Sequence, residues 1–194
     1  MPKFNRPIPD AIDFLESRRS GSAKAMKAPG PDASQLRRIL GAGARVPDHG
    51  KLAPWRFIVI EGVAREKLGA VLAERVLALE PDASDVRLEI ERNRFMRAPV
   101  IVAVVSHVVK DAPIPEWEQV LSSGAVCMTM LIAATSLGFV GNWITEWCAY
   151  DAVVTERLGL KDNERIAGFL YFGSPAAPLE ERVRPDLDPL ITKL

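Results

Sequence analysis

Residues 120–145 carry no charged side chain, the longest such run in the chain. A run of this length belongs either in a bilayer or in a protein core, because about 20 apolar residues already span a membrane. Two features favour the core. Ser122, Ser123, Thr129, Thr135, Ser136, Gly138 and Gly141 interrupt the run. Its near flanks are acidic (Glu116, Glu118, Glu146) and lack the Lys/Arg cluster that orients a membrane span. The pattern predicts a buried central helix over residues 115–137, stopped near Gly138, and no membrane segment.

The rest of the composition fits a soluble protein. The chain has 194 residues, 48% hydrophobic and 26% charged, which suggests one domain over 1–194. Such a chain buries roughly 70% of its unfolded surface and needs no staple. Lys and Arg total 25 against 25 Asp and Glu, which argues against a general nucleic-acid binder. Cys127 lies in the apolar run, and there is no CxxC. Two cysteines and two histidines are too scattered for a zinc site, so no metal is expected. The N-terminal stretch "MPKFNRPIPD" shows no secretory pattern, and the expected compartment is the cytoplasm.

Apolar spacing predicts a first helix over residues 9–17 and a loop over 21–31. A second helix is opened by Asp32, with Gln35 completing a capping box. That helix carries Leu36, Ile39, Leu40 and Gly43 on one side and ends before Pro47. A strand is expected over 55–62 and an amphipathic helix over 68–79. Another helix should start at Asp82 with Val86 and Ile90 inside. The β-branched run "APVIVAVVS" (98–106) reads as a buried central strand. A short strand or turn over 138–143, a helix over 152–158, a strand over 165–175 and a proline-broken tail complete the order. Two helices precede the first strand and helix pairs separate others, which makes the fold class α+β.

Several motifs invite a function. "GAGARV" begins as G-x-G, but it ends a helix instead of joining a strand to one, so the dinucleotide reading fails and helix packing or termination replaces it. Neither a phosphate-binding P-loop nor a G-x-S-x-G motif is present, and neither Ser174 nor His107 has a pattern that makes it a catalyst. In "SRRSGS" (17–22), Arg18, Arg19 and Ser20 offer guanidinium forks and a hydroxyl suited to phosphate, or else a solvated basic end to the first helix. In "RVPDHGKLAPWRF" (45–57), Arg45, His49 and Lys51 supply donors on a loop stiffened by Pro47 and Pro54. Residue chemistry leaves that loop balanced between an anion site and a surface turn in which Asp48 pairs with Arg45 or Lys51.

The ordered set "ESRRS", "RVPDHGKLAPWRF", "RAPVIVAVV", "LGFVGNW" and "IAGFLYFGSP" resembles the FMN-dependent nitroreductases, and within them the short NAD(P)H nitroreductase branch. The likeness runs over about residues 10–175. It implies a three-layer α+β fold, with a central, mostly antiparallel sheet flanked by helices, in an intertwined homodimer with FMN at the subunit interface. It implies an NAD(P)H-dependent oxidoreductase that passes reducing equivalents through flavin N5 to a nitroaromatic, quinone or similar acceptor by a ping-pong mechanism. Relatives on the same fold act as dehydrogenases or dehalogenases, and a non-catalytic FMN-storage role is a further alternative. By resemblance, Arg18, Arg19 and Ser20 meet the FMN phosphate and ribityl chain, and Arg45 is a same-subunit ligand. His49 reaches the partner's FMN, while Trp143, Ile144 and Thr145 run beside the ring. Arg182 and Arg184 correspond to basic tail residues of longer relatives. No catalytic side chain is implied, because the cofactor carries the chemistry. Ala53 stands where many members have glutamine, and Ile144 where many have a polar or basic residue.

Overall fold

The computed structural model describes residues 8–194. Six α-helices and five strands run in the order α1 (Ala11–Ser17), β1 (Met26–Lys27), α2 (Ala33–Gly43), β2 (Trp55–Glu61), α3 (Val63–Leu79), α4 (Asp85–Arg92), β3 (Val100–His107), α5 (Glu116–Ser136), β4 (Val140–Ile144), α6 (Ala152–Arg157) and β5 (Glu164–Pro175). The tail after β5 has a single turn of 3-10 helix at Asp188–Leu190.

β5 organises the sheet. It pairs with β3 along one edge, while β4 and β1 lie end to end on the other; β2 closes the far side of β3. All these pairings are antiparallel. β3 reads as a continuous apolar run because both of its faces are covered. Ile101, Ala103 and Val105 join a core with Leu68 and Leu72 of α3. Val100, Val102 and Val104 join the opposite core with Leu36 and Ile39 of α2 and Val126, Met130 and Ala134 of α5. The charge-free helix is thus a core helix, and the three-layer α+β expectation holds.

The glycines of the "GAGARV" segment serve packing. A Cβ on Gly43 would lie 2.6 Å from Met130 Cγ, so the absent side chain is what lets α2 approach α5. Asp32 accepts from Gln35 N at 2.8 Å while Gln35 Oε1 accepts from Asp32 N at 2.9 Å, the expected capping box.

Two local expectations fail. The loop over 21–31 contains β1, which adds two residues to the edge of β5; so short a strand has no periodicity to read. The helix expected to start at Asp82 contains Val86 and Ile90 as expected but begins later, at Asp85. Ser84 caps it, Leu88 and Glu91 face inward, and Val86 and Ile90 are exposed. The buried carboxylate of Glu91 is held by Arg87 and Arg94, and charge pairing thereby overrides apolar spacing.

A second buried carboxylate anchors the sheet's end. Glu164 Oε1 and Oε2 each accept from Arg56, on Nε and Nη2, at 2.7 Å, and Lys161 N donates at 2.9 Å. His107 Nδ1 lies 3.6 Å away. The Arg56 fork holds the Glu164 carboxyl down at about 2. A depressed carboxylate stabilises the fold fully above its unfolded value of about 4.3, and that contribution is lost as pH falls through about 2. Glu164→Gln should therefore cost about 3 kcal/mol at pH 7, with the gap to wild type closing across that acid window. Denaturant titrations at stepped pH measure it, and a gap that stays constant into acid would contradict the assignment.

Candidate functional site

The edge of β5 that pairs with β4 carries the first group of candidate residues. After α1, Arg18 turns the chain into extended conformation, and Gly21 N donates to Gly141 O at 3.2 Å. Asn142 Nδ2 returns a bond to Gly21 O at 2.6 Å. These two bonds fasten the Arg18–Arg19–Ser20 turn beside β4, immediately before Trp143. The sequence placed the two segments more than a hundred residues apart, and the backbone of Gly21 joins them.

The arginines of that turn are not equivalent. Arg19 Nη1 donates to Glu16 O at 2.5 Å and Arg18 O at 3.0 Å, and its other terminal nitrogen pairs with Glu181 of the tail. Arg18 Nη1 donates to Ser20 Oγ at 3.4 Å, but its Nε is buried with no acceptor among the described residues. Burial, then Arg184, then Arg19, lowers the Arg18 guanidinium from its ordinary value. Arg18 is half-buried, and the two arginines beside it share Glu181, so its unpaired Nε–H favours an anion. Ser20, at the end of the same turn, lines a cavity of about 320 Å³ with Gly21, Ser22, Ala25 and residues 177–180. Arg184 therefore belongs to this cluster through Arg18. For Arg182 the structure gives only a backbone N–H donated to Glu181 Oε1 at 2.8 Å.

Trp143 is seated by a defect in the sheet. The β3–β5 register shifts between Val104 and Val105, leaving Ala167 as the extra residue of a bulge. Trp143 Nε1 donates to Ala167 O at 3.0 Å, and the indole lies over Gly168, where a Cβ would be only 2.0 Å from Nε1. The indole remains 41% exposed, a flat apolar surface beside Ile144 and Thr145, which are half-buried. Gly168 was invisible as a site residue in sequence, because its role is to be empty.

The second group lies at the start of α5. Pro47 O accepts from Ser122 Oγ at 2.7 Å, and Pro54 O accepts from Ser123 Oγ at 3.1 Å. Trp55 Nε1 donates to Ser122 Oγ at 3.2 Å. The two serines that interrupt the apolar run are thus the anchors of the polar loop, a role the sequence did not reveal. Asp48 pairs with neither Arg45 nor Lys51. Its carboxylate accepts from Leu52 N at 3.0 Å and Ala53 N at 2.9 Å. Those bonds hold a turn in which Lys51 (φ 56°) and Ala53 (φ 46°) both occupy the left-handed region. His49 Nδ1 and Glu118 Oε2 are 2.7 Å apart, with both side chains largely exposed, and Arg45 is exposed at the end of α2. Backbone and side-chain bonds tie Arg18, Arg19, Ser20, Trp143, Ile144 and Thr145 into one neighbourhood, while Arg45 and His49 belong to the loop on α5. Both cysteines are buried and unpaired, and burial pushes each thiol up to about 12, so neither is a nucleophile. Among the described residues no group of three or more His, Cys, Asp or Glu could hold a metal ion.

Comparison with known proteins follows the same boundaries. A family model described as "Nitroreductase family" matches residues 15–174. "Putative NAD(P)H nitroreductase YdjA" of Escherichia coli (strain K12) is 39% identical over 184 residues, covering 94% of this chain and 98% of that protein. A nitroreductase-like family protein from Bacillus cereus superposes with a TM-score of 0.80 at 19% identity, over 97% of this chain and 98% of that one. A nitroreductase with bound FMN from Bacteroides fragilis gives 0.69 at 24% identity, over 96% and 100%.

The seating of Trp143 can be checked directly. Gly168→Ala should expel the indole from Ala167 O and shift its fluorescence to the red. The same substitution beside Trp143→Phe should leave the remaining emission unmoved. An unshifted spectrum in the single variant would refute the contact.

Proposed function

Because the chain belongs to the nitroreductase family, we propose that it is an FMN-dependent NAD(P)H oxidoreductase whose phosphate pocket is the Arg18 cluster. The observation that carries this reading is the buried Arg18 Nε without an acceptor, with Arg184 and Arg19 as neighbouring cations, on the turn whose Ser20 lines a cavity. An orphaned, charge-crowded guanidinium fits a phosphate dianion, which would relieve both costs at once. When bound, FMN would supply two-electron chemistry between NAD(P)H and a nitroaromatic, quinone or similar acceptor, in a ping-pong cycle.

The chain's own residues bind and orient. Arg18, Arg19 and Ser20 hold the phosphate and ribityl end, with Arg184 closing from the tail. Trp143 offers a flat apolar wall, and Ile144 and Thr145 bring backbone groups to the ring. No side chain here is assigned to proton transfer.

Arg45 and His49 sit on a different element and complete a site across a homodimer, His49 toward the partner's flavin. Support comes from α5, where Trp117 (68% exposed) and Leu121 (53%) share one face, one turn apart and uncovered. The tail adds exposed Leu187, Leu190 and Ile191. Exposed apolar side chains grouped in this way favour an interface. The two unpaired cysteines accord with a cytoplasmic location.

Purified protein should be yellow, or become so with added FMN, and NADPH or NADH should bleach it anaerobically. Protein that takes up no FMN would refute the reading. Arg18→Ala should weaken FMN binding by about 1.5–3 kcal/mol, the worth of a charge-assisted bond. Arg19→Ala should cost less, since Arg19 already has Glu181. Equal or reversed losses, read by flavin fluorescence titration, would move the phosphate elsewhere. A mixed dimer with His49→Ala in one subunit should lose affinity at the partner's site; loss at the mutant's own site would contradict the cross-subunit role.

A further inference from the structure

Glu146 combines two features that individually call for explanation. Its backbone, at φ 55° and ψ 177°, lies in a region that is essentially glycine's alone. Its carboxylate is gripped from both sides: Arg97 Nη1 lies 3.0 and 3.1 Å from its two oxygens, and Arg94 Nη1 lies 2.5 Å from Oε1. A non-glycine residue persists in such a conformation only where its surroundings over-determine it. Here the surroundings are charges. Arg94 is itself buried and also forks onto Glu91, which accepts from Trp147 Nε1 at 3.2 Å.

The network reaches across the molecule. Glu91 belongs to α4, Arg94 and Arg97 to the 3-10 turn after it, and Glu146 and Trp147 to the turn that leaves β4. Two carboxylates face two arginines, joined by Arg87 at the rim, so the cluster is internally satisfied and is not an anion pocket. Its one strained member directly follows Thr145. Outside helices and strands, the Glu146 N–H donates to no acceptor among the described residues.

We propose that Glu146 is a positioning residue: the Arg94–Arg97 grip on its carboxylate forces its backbone into the glycine-only conformation and so fixes the Trp143–Thr145 segment against bound FMN. This inference rests on the flavin reading above. It differs from a plain stabilising ion pair because the backbone angle, and not the charge, is the product of the grip.

That difference makes it testable with two substitutions at one position. Glu146→Ala removes the grip and keeps the Cβ that opposes the conformation. Glu146→Gly removes the grip and the opposition together. In flavin-free protein, amide hydrogen exchange at residues 145–147 should accelerate about tenfold or more in Glu146→Ala, and distinctly less in Glu146→Gly, a tenfold change corresponding to about 1.4 kcal/mol of local opening. FMN dissociation constants and the flavin midpoint potential should follow the same order, with glycine closer to wild type. Should Glu146→Ala fail to fold, Arg97→Gln removes one of the two grips and should speed exchange at the same amides. Glycine as damaging as alanine, or unaltered exchange in Arg97→Gln, would overturn the proposal. Wild-type protein that binds no FMN but shows the expected exchange order would sink the flavin reading and leave the backbone grip established.

Discussion

The two-sided burial of β3 is the constraint on which the other elements depend. A strand with Val, Ile and Ala on both faces needs a helical layer above and below. α3 supplies one layer and α2 with α5 the other. Once those layers are in place, β2 and β5 are the neighbours of β3, and the far edge of β5 is left for β4 and β1. The Arg18–Ser20 turn and the Trp143–Thr145 segment of the proposed pockets are both fastened at that far edge. The core is therefore what presents the site: it occupies one edge of β5 and leaves the other for short segments that can carry function.

Attachment at that edge is achieved by backbone bonds and by missing side chains. Gly21 lies close against Val140, Gly168 makes room for the Trp143 indole, and the bulge at Ala167 releases a carbonyl to receive it. The loop carrying Arg45 and His49 follows another method, hanging from two serine hydroxyls of α5 and folded around Asp48. The first method gives close approach to a flat ligand. The second gives a fixed turn on an otherwise apolar helix, because each buried hydroxyl must find a partner and each partner is a loop carbonyl.

These mechanisms explain what could be read from the sequence. The buried helix, the central strand, the capping box and the α+β order were legible because periodicity and cap chemistry are local. The arginine pair was legible as a phosphate candidate because guanidinium geometry is distinctive, yet the unequal state of Arg18 and Arg19 was not: it is set by Glu181 and Arg184 at the other end of the chain. Val86 and Ile90 lie within α4 as expected, yet both are exposed, since Glu91 is drawn inward by arginines that a hydropathy pattern cannot weigh. Trp143 was found through family resemblance alone, because its seat is made by a glycine and a bulge. Ala53 looked like a missing polar contact. The structure instead shows its N–H held by Asp48 at φ 46°, so whatever a longer side chain would do there, the backbone turn is made without it.

The charges of the site divide by whether they are satisfied internally. Around Glu146 the arginines are answered by carboxylates, and the result is rigid backbone. Around Arg18 a single carboxylate, Glu181, is shared by Arg19 and Arg184, the latter at 3.5 Å, and Arg18 itself has no carboxylate partner among the described residues. The buried Arg18 Nε–H left unpaired at the other end of β4 is what supports the phosphate role proposed above. β4 thus has the Arg18 turn fastened at its Gly141 end and the carboxylate-paired arginines of Glu146 just past the other, an order that accords with the extended cofactor proposed above.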